Sequence, residues 1–174
     1  MNFQGPSLFI DTLCSSSLIA LHLACLSLRQ KECHMALVGG VNVLLDPQYY
    51  VGLSGGKAQA NDGRCKTFDR NANGFVSSEG VVAIALKPVG DALAANDKIY
   101  GVIKGSAVNH NGHSNGLSAP NPQAQADLIL DAMKRSGISP EDISYIETHG
   151  TCTSLGDPIE IQGLTEAFRA HTDK

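Results

Sequence analysis

Apolar and polar positions fall in alternating blocks along this chain, and the blocks change period from one to the next. Residues 7–12 (Ser-Leu-Phe-Ile-Asp-Thr) form a short apolar run that predicts a strand. Residues 14–30 carry a long, almost wholly apolar stretch, which predicts a helix buried on most sides. A second apolar strand is expected over 35–44, valine-rich and containing Gly39-Gly40, where a small residue permits close packing. Asp46-Pro47 reads as an N-cap followed by proline at the first helical position, so 48–53 is expected to be a short helix. Residues 54–73 are polar and glycine-rich and read as a loop. Within 75–87, the run Val81-Val82-Ala83-Ile84-Ala85-Leu86 predicts a buried strand, and 98–108 predicts another. A loop of Asn, Gly, His, Ser and Pro over 109–122 precedes an amphipathic helix at 123–136, closed by Gly137 as its C-cap. A strand at 143–147 and a helix at 157–169, starting near Pro158, complete the pattern. Strands separated by helices argue for a layered α/β fold with largely parallel sheets. No internal repeat or low-complexity segment interrupts the pattern.

Composition narrows the class. The chain has 174 residues, 43% hydrophobic and 17% charged, enough for a domain with a real core and unlike a disordered tail. A net charge of −4, no tryptophan and 5% aromatics offer neither a basic surface nor a stacking platform for nucleic acid. Five cysteines, an odd number with no Cys-x-x-Cys pair, indicate neither a disulfide framework nor a zinc site, and no other metal site is expected. A reducing, cytoplasmic location is the expectation, since the N-terminus lacks the pattern of a signal peptide. The longest apolar run is broken by His22 and Ser27 and is too short to cross a bilayer.

Two residues carry candidate chemistry. Cys14 sits at the junction of the first strand and helix, where unpaired N–H groups and the positive end of the helix dipole favour an anion and hence a nucleophilic thiolate. Cys25 and Cys33 have no such context and read as structural. His149 follows the strand at 143–147 and opens a Gly/Thr loop, the kind of strand end where ligand sites assemble in α/β folds. His22, His34 and His171 read as structural or surface residues. Gly52-Leu53-Ser54-Gly55-Gly56 fits a serine nucleophile elbow in letters only, because a helix, not a strand, is expected before it. Asp69–Gly74 begins like a calcium loop, but its twelfth position is Gly80 and not glutamate.

Taken together, the motifs resemble those of β-ketoacyl synthases. Asp11-Thr12-Leu13-Cys14-Ser15-Ser16-Ser17-Leu18 resembles the family's nucleophile motif, where alanine is usual at the Leu13 position. The stretch from Glu147 through His149 to Glu160 resembles its first histidine motif, with Cys152 in place of the usual glycine. Gly63-Arg64-Cys65-Lys66-Thr67-Phe68-Asp69 and Gly105-Ser106-Ala107-Val108-Asn109-His110-Asn111-Gly112 match as well. The similarity is strongest to ketosynthase domains of modular polyketide synthases. It implies a thiolase-like α/β/α/β/α fold, seen here in part: residues 1–95 would end the N-terminal half and 96–174 begin the C-terminal half. It also implies a homodimer of the full ketosynthase, partnered by an acyl carrier protein with no nucleic acid or membrane partner. Catalysis would use no tightly bound cofactor, only acyl substrates carried on phosphopantetheine. By resemblance, Cys14 is the nucleophile, and His149 stabilises the enolate of the extender. Thr151 and Thr153 bind the pantetheine arm, and Asp157 and Glu160 brace the site, in part through a lysine.

The family's downstream Lys-Ser-Asn-x-Gly-His motif, with its second histidine and its lysine, is not in this sequence, and only thirteen residues precede Cys14. The chain is therefore expected to be an internal piece of a ketosynthase, with open sheet edges and no condensing activity of its own. Two alternatives stand beside this reading: a non-condensing domain that binds acyl chains and carriers, and a hydrolase acting through Ser54 or Cys14.

Overall fold

The computed structural model describes residues 3–55, 58–114, 116 and 119–170. They fall into two compact units that do not follow chain order. One is built from residues 3–43 and 79–103, the other from the described residues of 44–78 and 104–170.

In the first unit, a 3-10 turn at Leu13–Ser15 leads into helix α1, Ser16–Arg29. Strand β1 (Ala36–Asn42) pairs antiparallel with β2 (Gly80–Leu86) in the register Ala36↔Leu86 to Asn42↔Gly80. Helix α1 lies against β1. A Cβ on Gly40 would already stand 3.4 Å from that of Ser17, which is the close packing the Gly39-Gly40 pair anticipates. Val38 and Cys25 are buried, and burial pushes the Cys25 thiol pKa up, with Arg29 pulling the other way. Directly paired strand residues share a face. Leu37, Gly39, Val41, Val81, Ala83 and Ala85 therefore line one side of the ribbon, all exposed, with Leu37, Val41 and Val81 at 65%, 72% and 74%. A short helix α3 (Val89–Ala94) follows β2, and a Lys87–Asp97 ion pair of 2.8 Å spans it.

In the second unit, α2 (Gln48–Gly55) begins where expected, with Asp46 Oδ1 accepting from the Gln48 N–H at 2.8 Å. Two longer helices make the core: α4 (Pro122–Ser136) and α5 (Gly156–Arg169). Asn121 caps α4 through the Ala124 N–H, proline takes the first position, and Gly137 ends it at φ 65°. Ala126, Met133 and Ala167 are buried. Gly163 allows the close crossing of the two helices: a Cβ there would sit 2.9 Å from Gln125 Cβ and 3.0 Å from Pro122 O.

Three expectations change. Residues 7–12, 98–108 and 143–147 form no strand, and the one sheet among the described residues is a two-stranded antiparallel ribbon, not a parallel sheet. The apolar pattern encodes a face, but a strand exists only through a partner's ladder, and β1 and β2 are the only strands described. Helix α1 is mostly half-exposed instead of buried on most sides, and Cys25 is its one buried residue. His171 and Gly56 lie outside the described residues. Among those residues, no helix is long and apolar enough to cross a membrane.

Candidate active site

Cys14 stands in the turn before α1, exposed and two residues ahead of the first helical residue. The turn is made by Leu13, a non-glycine residue at φ 58° whose side chain is 86% exposed. Neighbouring side chains tie this backbone together. Asp11 Oδ1 accepts from the Leu13 N–H at 3.1 Å. The Ser16 hydroxyl accepts from the Thr12 N–H at 2.9 Å and donates to Leu13 O at 2.6 Å. The Ser15 hydroxyl donates to Thr12 O at 3.1 Å. The serines after the cysteine therefore close the turn that presents it.

The other five candidate residues gather in the second unit. His149 is exposed, and its backbone is clamped from below: Glu160, on the first turns of α5, accepts the His149 N–H at 2.6 Å and the Gly150 N–H at 2.8 Å, one on each oxygen. Glu160 thus acts on the histidine through the main chain, leaving the imidazole outside this clamp. Thr151 and Thr153 face each other with hydroxyls 3.0 Å apart, and Thr153 Oγ1 accepts the Gly156 N–H at 2.9 Å at the start of α5. Asp157 is 3% exposed. Its Oδ2 accepts the Phe68 N–H at 2.7 Å, while its Oδ1 is buried with no hydrogen-bond partner.

Sequence reasoning gave no role to Thr67, Phe68 or Gly74, although the Gly63–Asp69 motif contains two of them. Thr67 donates to Gly150 O at 3.2 Å and stands 3.1 Å from the Cys152 thiol, while Phe68 holds φ 59° against Asp157. Gly74 N–H donates to Cys152 O at 2.8 Å. Ser54, the alternative nucleophile, lies in the last turn of α2 with its hydroxyl donating to Tyr50 O at 2.7 Å, which is not an elbow. Among the described residues, no group of three or more His, Cys, Asp or Glu side chains is placed to hold a metal ion.

An exposed cysteine turn in one unit and a backbone-clamped histidine loop in the other are the two candidate elements of this chain. The comparisons specify the class of protein that carries them. The family model for the β-ketoacyl synthase N-terminal domain matches residues 1–92, and that for the C-terminal domain matches residues 100–174. The chain belongs to the β-ketoacyl synthase family. It is 52% identical over 172 residues to polyketide synthase PksL of Bacillus subtilis (strain 168), covering 99% of this chain and 4% of that protein. It is 49% identical to polyketide synthase ThaG of Burkholderia thailandensis, covering 97% of this chain and 3% of that one. Among solved structures, the oxazolomycin ketosynthase domain OzmH KS7 of Streptomyces albus JA3453 matches with TM-score 0.96 at 48% identity. That match covers 98% of this chain and 29% of the ketosynthase chain. The ketosynthase from module 6 of the bacillaene synthase of Bacillus subtilis 168 matches with TM-score 0.92 at 50% identity over 95% of this chain and 30% of that chain. The thiolase-like fold is therefore shown, in part. The chain spans a few per cent of these synthases and under a third of a solved ketosynthase.

Proposed function

We propose that this chain is the nucleophile-bearing and first-histidine portion of a polyketide-synthase ketosynthase, which lengthens acyl chains by decarboxylative Claisen condensation. The Cys14 thiolate attacks the thioester of an acyl chain on a phosphopantetheine arm, forming the acyl–Cys14 thioester and releasing the carrier thiol. The Cys14 N–H donates to the thioester oxygen as charge builds there. A malonyl-type extender on the acyl carrier protein then loses CO₂. Its enolate attacks the acyl carbon, and the Cys14 thiolate leaves. His149 donates to the extender carbonyl and stabilises the enolate. The Thr151–Thr153 pair supports the arm: Thr153 already accepts the Gly156 N–H, so the two hydroxyls share one internal bond and retain a donor for an amide or carbonyl. Asp157 Oδ1, buried without a partner, fits a cation such as the family's lysine, which this sequence does not contain. The full ketosynthase works as a homodimer in the cytoplasm.

The observation that carries this reading is the Glu160 clamp, which fixes the histidine's backbone at two successive amides while the side chain stays exposed. The test uses the full protein carrying this sequence, an acyl-N-acetylcysteamine donor and intact-protein mass spectrometry. Cys14→Ala should abolish acylation. His149→Ala should keep acylation and lose at least 100-fold in condensation, in line with removing one oxyanion donor. Acylation that survives Cys14→Ala overturns the nucleophile. Full condensation in His149→Ala overturns the histidine's role and favours a domain that only binds carriers.

A further inference from the structure

Position 152 holds cysteine where the related motif has glycine, and its surroundings show what the side chain does. Cys152 is 1% exposed and adopts φ 60°, a left-handed conformation costly for any residue with a Cβ. Its thiol turns inward, 3.3 Å from Gly150 O and 3.1 Å from Thr67 Oγ1, while the Thr67 hydroxyl donates to the same carbonyl. Both donors converge on one acceptor: the Thr67 O–H and the Cys152 S–H each donate to the Gly150 carbonyl, with the hydroxyl and the thiol side by side. Gly150 is itself left-handed at φ 52°, and a Cβ there would lie 2.7 Å from Thr67 Cγ2. Thr67 therefore leaves no room for a side chain at residue 150 and bonds to the carbonyl of the same residue. The main chain of the loop is held on both sides of Gly150: the Gly150 N–H by Glu160, the Gly150 carbonyl by Thr67 and Cys152, and the Cys152 carbonyl by Gly74.

We infer that Cys152 and Thr67 together are positioning residues for His149. The thiol–hydroxyl pair holds the Gly150 carbonyl so that the adjoining His149 and Gly150 amides point at Glu160. The thiol supplies a side-chain anchor that a glycine at this position lacks. The catalytic consequence rests on the role proposed for His149; the positioning is a property of the backbone and is measured separately.

The test is hydrogen exchange with mass spectrometry on the full protein carrying this sequence. A peptide spanning residues 147–153 is followed, with one inside α4 as the reference for global folding. Cys152→Ala keeps the left-handed residue and removes only the thiol; Thr67→Val removes only the hydroxyl. Each should speed exchange of the loop peptide about tenfold, the size of one lost hydrogen bond, with α4 unchanged. Cys152→Ser and Thr67→Ser, which keep a donor in place, should restore protection. Loop exchange that stays at the wild-type rate overturns the inference, as does a loop and α4 that accelerate together or a serine that fails to rescue. Should Cys152→Ala not fold, Thr67→Val and Thr67→Ser decide by the same criteria. Condensation assayed on the same variants separates the two claims: a loosened loop with unchanged turnover overturns the catalytic consequence of the positioning and leaves the positioning standing, while the role of His149 itself is decided by His149→Ala.

Discussion

The Cys14 turn and the His149 loop solve one problem in opposite ways. Both present a candidate catalytic side chain from a sharp bend that contains a left-handed non-glycine residue, Leu13 in one and Cys152 in the other. The first bend is tied by bonds between residues no more than four apart. The second is held by Thr67, Gly74 and Glu160, ten or more residues away in sequence. The Cys14 geometry is thus a local property of Asp11–Ser16, whereas the His149 geometry is a tertiary property. The first should survive changes elsewhere in the protein, and the second should not.

That contrast can be broken first at Glu160. Glu160→Ala removes a charged acceptor from two backbone amides and should cost about 2–3 kcal/mol in urea unfolding, with Glu160→Gln between it and the wild type. A loss well under 1 kcal/mol would mean that the loop is not held from outside. Cys152→Gly is a finer probe. Relief of the left-handed backbone, about 1–2 kcal/mol, is offset by the lost thiol and by the extra freedom glycine gives the unfolded chain, about 0.5–1 kcal/mol. Its stability should therefore stay close to wild type, where Cys152→Ala is clearly weakened, as differential scanning calorimetry of the pair would show. The smallest effect belongs to the other bend. Ser16→Ala removes two local bonds at an exposed helix start and should cost about 0.5–1 kcal/mol. Iodoacetamide alkylation of Cys14 should change in this variant, while exchange in the 147–153 peptide stays the same. A change in that loop would show that the first bend is not locally determined.

The same division explains what could be read from the sequence. The helices at 48–55, 122–136 and 156–169 were legible because their signals are local: Asp46-Pro47 before the first, Gly137 after the second and Pro158 in the first turn of the third. The Cys14 bend was legible for the same reason. Strands at 7–12, 98–108 and 143–147 were expected from their apolar residues and are absent, since a strand is completed by a partner that the segment does not specify. The antiparallel β1–β2 pairing joins residues 38 to 50 apart, beyond the reach of any local signal. In the site, the histidine motif marked the right loop, but the roles of Thr67 and Phe68 depend on contacts across more than 80 residues. Their motif was visible; its purpose became visible only when Gly150 and Asp157 were placed beside it.

The interleaving of the two compact units bears on how the polypeptide can be dissected. The family models divide the chain in order, at residues 92 and 100, yet residues 44–78 pack with the unit that holds His149. A cut near residue 95 would leave Thr67, Phe68 and Gly74 on one piece and the loop they hold on the other. Such halves are poor candidates for independent expression and good candidates for fragment complementation, in which the second piece orders its His149 loop only when the first is added.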